Sequence, residues 1–382
     1  MKRFNSLLPI VRLAFMLVFF YRWFWQIDDA VFYVGLPYST GMTLFALFIC
    51  YLLAMFYTTI IHELGHLVFG LLTGYRFCSY RVYNFIFYKQ NGRIRFGLYK
   101  LPCPAGQCLM QPPAIKEGKY PYLLYHLGGL IFNLIQLILI LVVRHHTEYY
   151  TYAHEFSFFF GSYVSYTILC NAIPFLAEIR NDGRNIMEAR RNKAEQEAMW
   201  YLLETHRLQQ DGVSLKDMPD EWFPAPDDWD LRYHGGQARA LLSCDRYLAR
   251  HEFETYKNLL FKVLDHEHEI SSPTQVHSIY TELLFSAILT GEEPRIIQLL
   301  RRSVPQEYRA SMRQSTTMCR VTYAEALLVD KDQKAAEAAR TAFEKALKDS
   351  ISLDEIRLEQ ELMACVDQVA AERGIGVTEA ET

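Results

Sequence analysis

The stretch from Thr43 to Gly74 constrains the fold of this chain most strongly. It reads TLFALFICYLLAMFYTTIIHELGHLVFGLLTG and has no Asp, Glu, Lys or Arg except Glu63. A helix of this length would extend about 45 Å, which exceeds the roughly 30 Å hydrocarbon core of a bilayer. The stretch therefore predicts a membrane-spanning helix that tilts, kinks near Gly65 or projects beyond the bilayer.

Two histidines and a glutamate lie inside this apolar stretch. His62 and His66 are one helical turn apart, so both imidazoles can reach one zinc ion while Glu63 faces the water that the ion activates. Ionisable groups at such depth are costly unless they pair or bind metal. The alternative is a pair of histidines that serve only helix packing. We expect the metal site, with Glu63 as the catalytic base.

Charge and composition divide the chain into two halves. Residues 1–194 hold 18 basic and 9 acidic side chains in long apolar and aromatic runs, whereas residues 195–382 hold 21 basic and 34 acidic ones. This predicts a transmembrane domain over residues 1–194 and a cytosolic domain over residues 195–382. The acidic second half would repel phosphate backbones, so nucleic acid is not an expected partner. The eight scattered cysteines indicate free thiols of a reducing compartment.

Four membrane spans are expected in the first half. Apolar segments at 122–143 and about 156–175 follow the span that carries the histidines. The amino terminus is basic and then apolar without a cleavage motif, so it predicts an uncleaved first span. Arg12 and Arg22 weaken that span and would also suit an interfacial helix.

Basic residues orient these spans. They are concentrated in residues 75–120 and just after the last span, whereas residues 26–42 have none and residues 144–155 have only Arg144. The positive-inside rule then places both chain ends in the cytoplasm. We expect a multi-pass protein of the cell membrane.

Residues from about 75 to 115 predict a small β insertion. Aromatic and β-branched residues alternate around Gln90-Asn91-Gly92, which indicates a hairpin and one or two further strands. One interpretation is a sheet edge that receives an unwound substrate as an added strand. The other is a simple connector. We favour the sheet edge, because unstructured loops of about forty residues are uncommon.

The second half predicts successive helical hairpins, because its apolar residues recur at spacings of three and four. Residues 323–347 resemble a tetratricopeptide unit, although no repeat has a fixed period. A Pro- and Asp-rich linker is expected at 211–230. The domain is either a groove for a peptide or partner helix or a stabilising cap. The expected fold class is mainly α: a polytopic membrane helix bundle with a small β insertion, then a soluble all-α helical-repeat-like domain.

Two short segments, one at the end of the fourth span and one just after it, carry a family resemblance. These are Asn171-Ala172-Ile173-Pro174 and Asn181-Asp182-Gly183. With the His-Glu-x-x-His helix, they resemble the site-2 protease family of intramembrane zinc metalloproteases, over about residues 40–190. The resemblance implies that His62, His66 and Asp182 bind zinc.

The same resemblance implies three substrate-binding residues. Pro104-Ala105-Gly106 is similar to the family's Pro-x-Gly-Gly strand, and Gly128 to Asn133 is similar to its Gly-Pro-x-x-Asn span. Asn171, Gly106 and Asn133 are thereby expected to contact substrate.

The third metal ligand has a competitor. Asn181 stands where the family usually has leucine, and the gap from Asn171 to Asp182 is longer than usual. Glu178 is therefore an alternative ligand. We prefer Asp182, because Gly183 permits a backbone bend that aims the carboxylate into the membrane. An ordinary turn is the other interpretation of this Asp-Gly pair.

The expected function is hydrolysis of a peptide bond in or near the transmembrane segment of a single-span protein or leader peptide. Glu63 acts as general base on a zinc-activated water. The lipid bilayer surrounds the site, and the carboxy-terminal domain regulates the enzyme or recruits a protein or peptide partner. The alternative is an inactive pseudoprotease that serves as a binding scaffold or peptide sensor.

Overall fold

The computed structural model describes residue 21 and residues 40–101, 104–148, 151–174, 180–270 and 272–375. It is mostly helical, with a small four-stranded antiparallel sheet. The mainly α class with a small β insertion is thereby confirmed. The seven cysteines in the described residues are free thiols, as predicted.

The chain divides into two compact units. The first contains the residues up to Val82 and Ala105–Arg191, and the second contains Tyr83–Pro104 and the residues from Asn192 onward. This division falls three residues before the expected boundary at 194. It also places the middle of the β insertion in the second unit, whereas we expected the whole insertion in the first.

The first unit has four described helices, α1 (Thr40–Leu72), α2 (Tyr122–His146), α3 (Tyr152–Ala172) and α4 (Asp182–Arg191). Two segments are long and apolar enough to cross a membrane, Phe48–Leu72 of α1 and all of α2.

The predicted first span lies outside the described residues. The predicted fourth span overlaps α3. Among the described helices, α3 is not one of those that are both long and apolar enough to cross a membrane. The polytopic bundle and its place in the cell membrane therefore remain predictions.

Helices α1 and α2 approach closely where two glycines face each other. A Cβ atom on Gly65 would overlap the carbonyl group of Gly128, and a Cβ on Gly128 would overlap that of Gly65. Small residues at such crossings let two helix backbones approach each other closely. This contact lies beside His66 and brings α2 against the predicted catalytic face of α1.

The four strands form two antiparallel pairs, one in each unit. In the first unit, β1 (Arg76–Val82) pairs with β4 (Gly106–Gln111). In the second unit, β2 (Phe85–Gln90) and β3 (Arg93–Leu98) form a hairpin. Its turn uses positive φ angles at Asn91 (51°) and Gly92 (75°), which suit a type I′ turn. The hairpin predicted around Asn91 is confirmed.

The second unit is helical apart from its hairpin. Its core contains buried leucine, isoleucine and alanine side chains from consecutive helices that pack against one another. These helices are α5 (Lys193–Gln210), α6 (His234–Ala249), α7 (Phe253–Leu264), α8 (Pro273–Thr290), α9 (Pro294–Ser303), α10 (Gln306–Ser311), α11 (Thr316–Ala324), α12 (Gln333–Asp349) and α13 (Leu353–Glu372). Short 3-10 turns occupy the predicted linker. The helical-repeat description stays a prediction.

Candidate metal centre

Three side chains from two helices converge on one point. The Nε2 atoms of His62 and His66 are 3.2 Å apart. Oδ2 of Asp182 lies 3.2 Å from His62 Nε2 and 3.4 Å from His66 Nε2. A tetrahedral ion with ligands at about 2.0–2.2 Å separates its donor atoms by roughly 3.4 Å. The three residues are buried, and their spacing fits a single metal ion.

Asn181 positions the aspartate. Its Oδ1 accepts a hydrogen bond from the backbone N–H of Arg184 (3.0 Å), so Asn181 caps the amino terminus of α4. Its Nδ2 donates to the carbonyl oxygens of Cys170 and Ile173, each at 2.7 Å. These bonds connect the end of α3 to the start of α4. Asn181 thus fixes the position of Asp182.

Gly183 has a different role from the one expected. It lies within the first turn of α4, and a Cβ atom there would overlap the carbonyl group of Ala172. Close approach of α4 to the end of α3, and not a bent backbone, requires glycine at this position. The result still places the neighbouring Asp182 against the two histidines.

A backbone carbonyl orients the second histidine. Nδ1 of His66 lies 2.8 Å from the carbonyl oxygen of Tyr125, to which it donates in the tautomer that leaves Nε2 free. Metal-binding histidines generally donate their other ring N–H to a carbonyl or carboxylate, which fixes the ring and raises its basicity. The Nε2 atom of His66 is thereby directed to the metal position.

Asn133 orients the first histidine. Its amide nitrogen is placed 3.1 Å from His62 Nδ1, and its Oδ1 is buried without a hydrogen-bond partner. If His62 binds metal through Nε2, its Nδ1 carries a proton and needs an acceptor. Rotating the amide of Asn133 by 180° exchanges its oxygen and nitrogen and supplies that acceptor. We therefore assign Oδ1 of Asn133 to His62.

Glu63 lies beside the converging residues. It is buried, and its carboxylate contacts Gly106 so closely that a Cβ atom on that glycine would overlap Oε1. Arg81, buried on β1 in register with Gln107, interacts electrostatically with this carboxylate. The start of β4 thus forms one wall of the site.

His126 is a further residue at this site, and it was not among those predicted from the sequence. This buried residue of α2 has its Nδ1 3.8 Å from Asp182 Oδ1, on the side of the carboxylate away from the other two histidines. A histidine within an apolar span was a signal that could have identified it. Its neighbour Gly129 matters sterically, because a Cβ there would lie 2.5 Å from Cε1 of His62.

The predicted substrate-binding residues take different places. Gly106 faces Glu63, and Asn133 contacts a metal-ligand candidate. Nδ2 of Asn171 donates to the carbonyl oxygen of Thr167 one turn back in α3, at 3.1 Å. The substrate roles of all three remain predictions. Glu178, the alternative ligand, lies outside the described residues.

No family model matches the chain, and no curated protein or solved structure matches it.

Proposed function

We propose that the chain is an intramembrane zinc metalloprotease of the site-2 type. It hydrolyses a peptide bond in or near the transmembrane segment of a single-span membrane protein or a leader peptide. The observation that carries this proposal is the convergence of His62, His66 and Asp182 beside Glu63, because both histidines and the glutamate lie on a helix apolar enough to cross a membrane.

The donor set favours zinc with one open position. Two imidazole nitrogens and one carboxylate oxygen are a common catalytic zinc set, and three protein ligands leave the fourth position for reactants. A zinc ion held here supplies Lewis acidity and a nucleophilic water near neutral pH.

Residues of the chain transfer the proton and orient the two histidine ligands. Glu63 takes a proton from the attacking water and returns it to the leaving amine. The carbonyl of Tyr125 and the amide of Asn133 hold the two imidazoles in the tautomers that present Nε2. Arg81 adds a positive charge beside the carboxylate of Glu63.

The sheet edge is suited to hold the substrate. In the described sheet β4 is a terminal strand, and its first residue Gly106 contacts Glu63. Peptide bonds of a transmembrane helix are hydrogen-bonded internally, so the helix must unwind before cleavage. An edge strand replaces the lost backbone hydrogen bonds by strand addition, and it would hold the scissile peptide next to the base.

The test compares cells that carry the native chain with cells that carry Glu63→Gln, by quantitative membrane proteomics and peptidomics. This substitution keeps the size of the side chain and removes the base. We expect one or a few single-span precursors to accumulate and their fragments to disappear. Glu148→Gln, at an exposed position between α2 and α3, is the matched control and should behave like the native chain. Identical profiles for Glu63→Gln and the native chain would contradict the proposal.

A further inference from the structure

One face of the β2–β3 hairpin is an exposed apolar surface, which we call the hairpin face. It consists of Phe85, Phe87, Ile94, Phe96 and Leu98, with exposed fractions from 46% to 68%. The register explains it, because Phe85 pairs with Leu98 and Phe87 pairs with Phe96, so these side chains project to one side.

The hairpin face is a continuous patch. The ring of Phe96 lies 6.2 Å from that of Phe85 and 5.2 Å from that of Phe87. Half-exposed aromatic and aliphatic side chains of this number present roughly 400 Å² of apolar surface. A contiguous patch of that size marks an interaction site more often than single exposed residues do.

The charges on the hairpin are all positive. Residues 83–101 contain no Asp or Glu. Lys89, Arg93 and Arg95 are exposed beside the Asn91-Gly92 turn. Aromatic side chains flanked by Lys and Arg are typical of protein surfaces at the boundary between headgroups and acyl chains, where the basic groups attract anionic lipids.

The position of the hairpin in the chain places it near a bilayer if Phe48–Leu72 spans one, as the proposed function requires. Phe85 follows Leu72, the end of a candidate span, by 13 residues, so a fully extended chain would reach at most about 45 Å. A surface tethered at this distance from a span meets the lipid headgroups at high local concentration.

The hairpin is also fixed to the helical unit. Nε2 of Gln90 donates to the carbonyl oxygen of Ile351 (3.3 Å), and Nε2 of Gln210 donates to the carbonyl oxygen of Lys89 (3.0 Å). Lys100 forms an ion pair with Asp349 at 2.7 Å. Any surface that binds the hairpin face therefore also holds the helical unit.

We propose that the hairpin face binds the interface of an anionic phospholipid bilayer and thereby attaches the carboxy-terminal helical unit to the membrane surface. The five apolar side chains enter the headgroup and upper acyl region, and Lys89, Arg93 and Arg95 contact anionic headgroups. This attachment needs no catalytic residue, so it holds in Glu63→Gln as well.

Photocrosslinking of the full chain tests the proposal. The protein is reconstituted in vesicles of phosphatidylcholine and phosphatidylglycerol with p-benzoylphenylalanine at position 96, or at position 299 as the matched control. Leu299 is an apolar residue of α9 outside the hairpin, and its exposed fraction of 65% is close to the 58% of Phe96. We expect roughly fivefold more lipid adducts from position 96 than from position 299, as measured by mass spectrometry. Equal lipid yields, or adducts from position 96 to a second copy or another protein, would overturn the proposal.

Lipid composition tests the role of the charges. With the crosslinker at position 96, vesicles of phosphatidylcholine alone should lower the adduct yield about threefold. A triple variant with glutamine in place of Lys89, Arg93 and Arg95 should lose this dependence on lipid charge. If neither the lipid composition nor the triple substitution changes the adduct yield, the assigned role of the basic residues is contradicted.

Discussion

Replacing Asn133 with alanine removes the hydrogen-bond partner of His62 Nδ1 and leaves the rest of α2 unchanged. The amide is completely buried, so bulk water does not replace it directly. Loss of a partner that orients a metal-binding histidine typically costs 10–100-fold in metal affinity, which corresponds to about 1.4–2.7 kcal/mol. We expect zinc affinity to fall by about this factor.

The assay is a zinc titration of the purified full chain in detergent, in competition with a chelator of known affinity. Asn133→Asp keeps an oxygen acceptor and should bind zinc at least as tightly as the native chain. Gln136→Ala is the matched control, because Gln136 is a buried amide one turn further along α2 that contacts Thr58 and not His62. It should leave zinc affinity unchanged.

Two results would refute this reasoning. If Asn133→Ala binds zinc as tightly as the native chain, the amide does not orient His62. If Gln136→Ala loses as much affinity as Asn133→Ala, the loss reflects helix packing and not the hydrogen bond.

Three further changes have expected outcomes. Gly129→Ala should weaken zinc binding at least about tenfold, because its Cβ would lie 2.5 Å from Cε1 of His62 and displace the ring. Asn181→Ala should lower the free energy of unfolding by about 1–2 kcal/mol, measured by denaturant unfolding, because it removes a helix cap and two further hydrogen bonds. Burial and the neighbouring carboxylate of Glu282 raise the pKa of Asp245 to about 7. The folded chain then holds this proton between pH 4 and 7 while the unfolded chain does not, so stability falls as pH rises, by about 1 kcal/mol per unit between pH 5 and 7. Asp245→Asn should flatten that slope in unfolding experiments across this range.

Each of these changes has a control in the same chain. Gly161→Ala also adds a Cβ at a close contact, 3.3 Å from the Ile140 side chain, but it does not contact His62, His66 or Asp182. It should leave zinc affinity unchanged. Asn192→Ala removes a single capping bond and should cost less stability than Asn181→Ala. Asp265→Asn, at an exposed helix end, should keep the native pH slope. Equal effects of control and test variants would contradict the respective argument.

The sequence could identify the candidate metal ligands on α1 because their geometry is local. Helical periodicity alone places His62 and His66 one turn apart, with Glu63 beside them. Asp182 required a motif, since nothing local links it to α1. Asn133 and His126 depend on how α2 packs on α1, which the Gly65 and Gly128 contact determines, and such a tertiary contact leaves only a weak pattern in the sequence.

The domain boundary illustrates the same limit. Sequence order and composition assigned residues 75–115 to the first half. In the structure Gln90 and Lys100 bond to Ile351 and Asp349, about 250 residues later in the chain. Composition along the chain carries no information about such long-range partners, whereas the contacts group the β2–β3 hairpin with the second unit.

X-ray absorption at the zinc edge, on the purified full chain, tests the central claim most directly. The account predicts one zinc per chain with nitrogen and oxygen ligands at about 2.0–2.2 Å and no sulfur near 2.3 Å. Sulfur is a real alternative, because buried free thiols such as Cys78 and Cys108 lie in the same unit. Absence of stoichiometric zinc, or a sulfur ligand, would contradict the assignment of His62, His66 and Asp182.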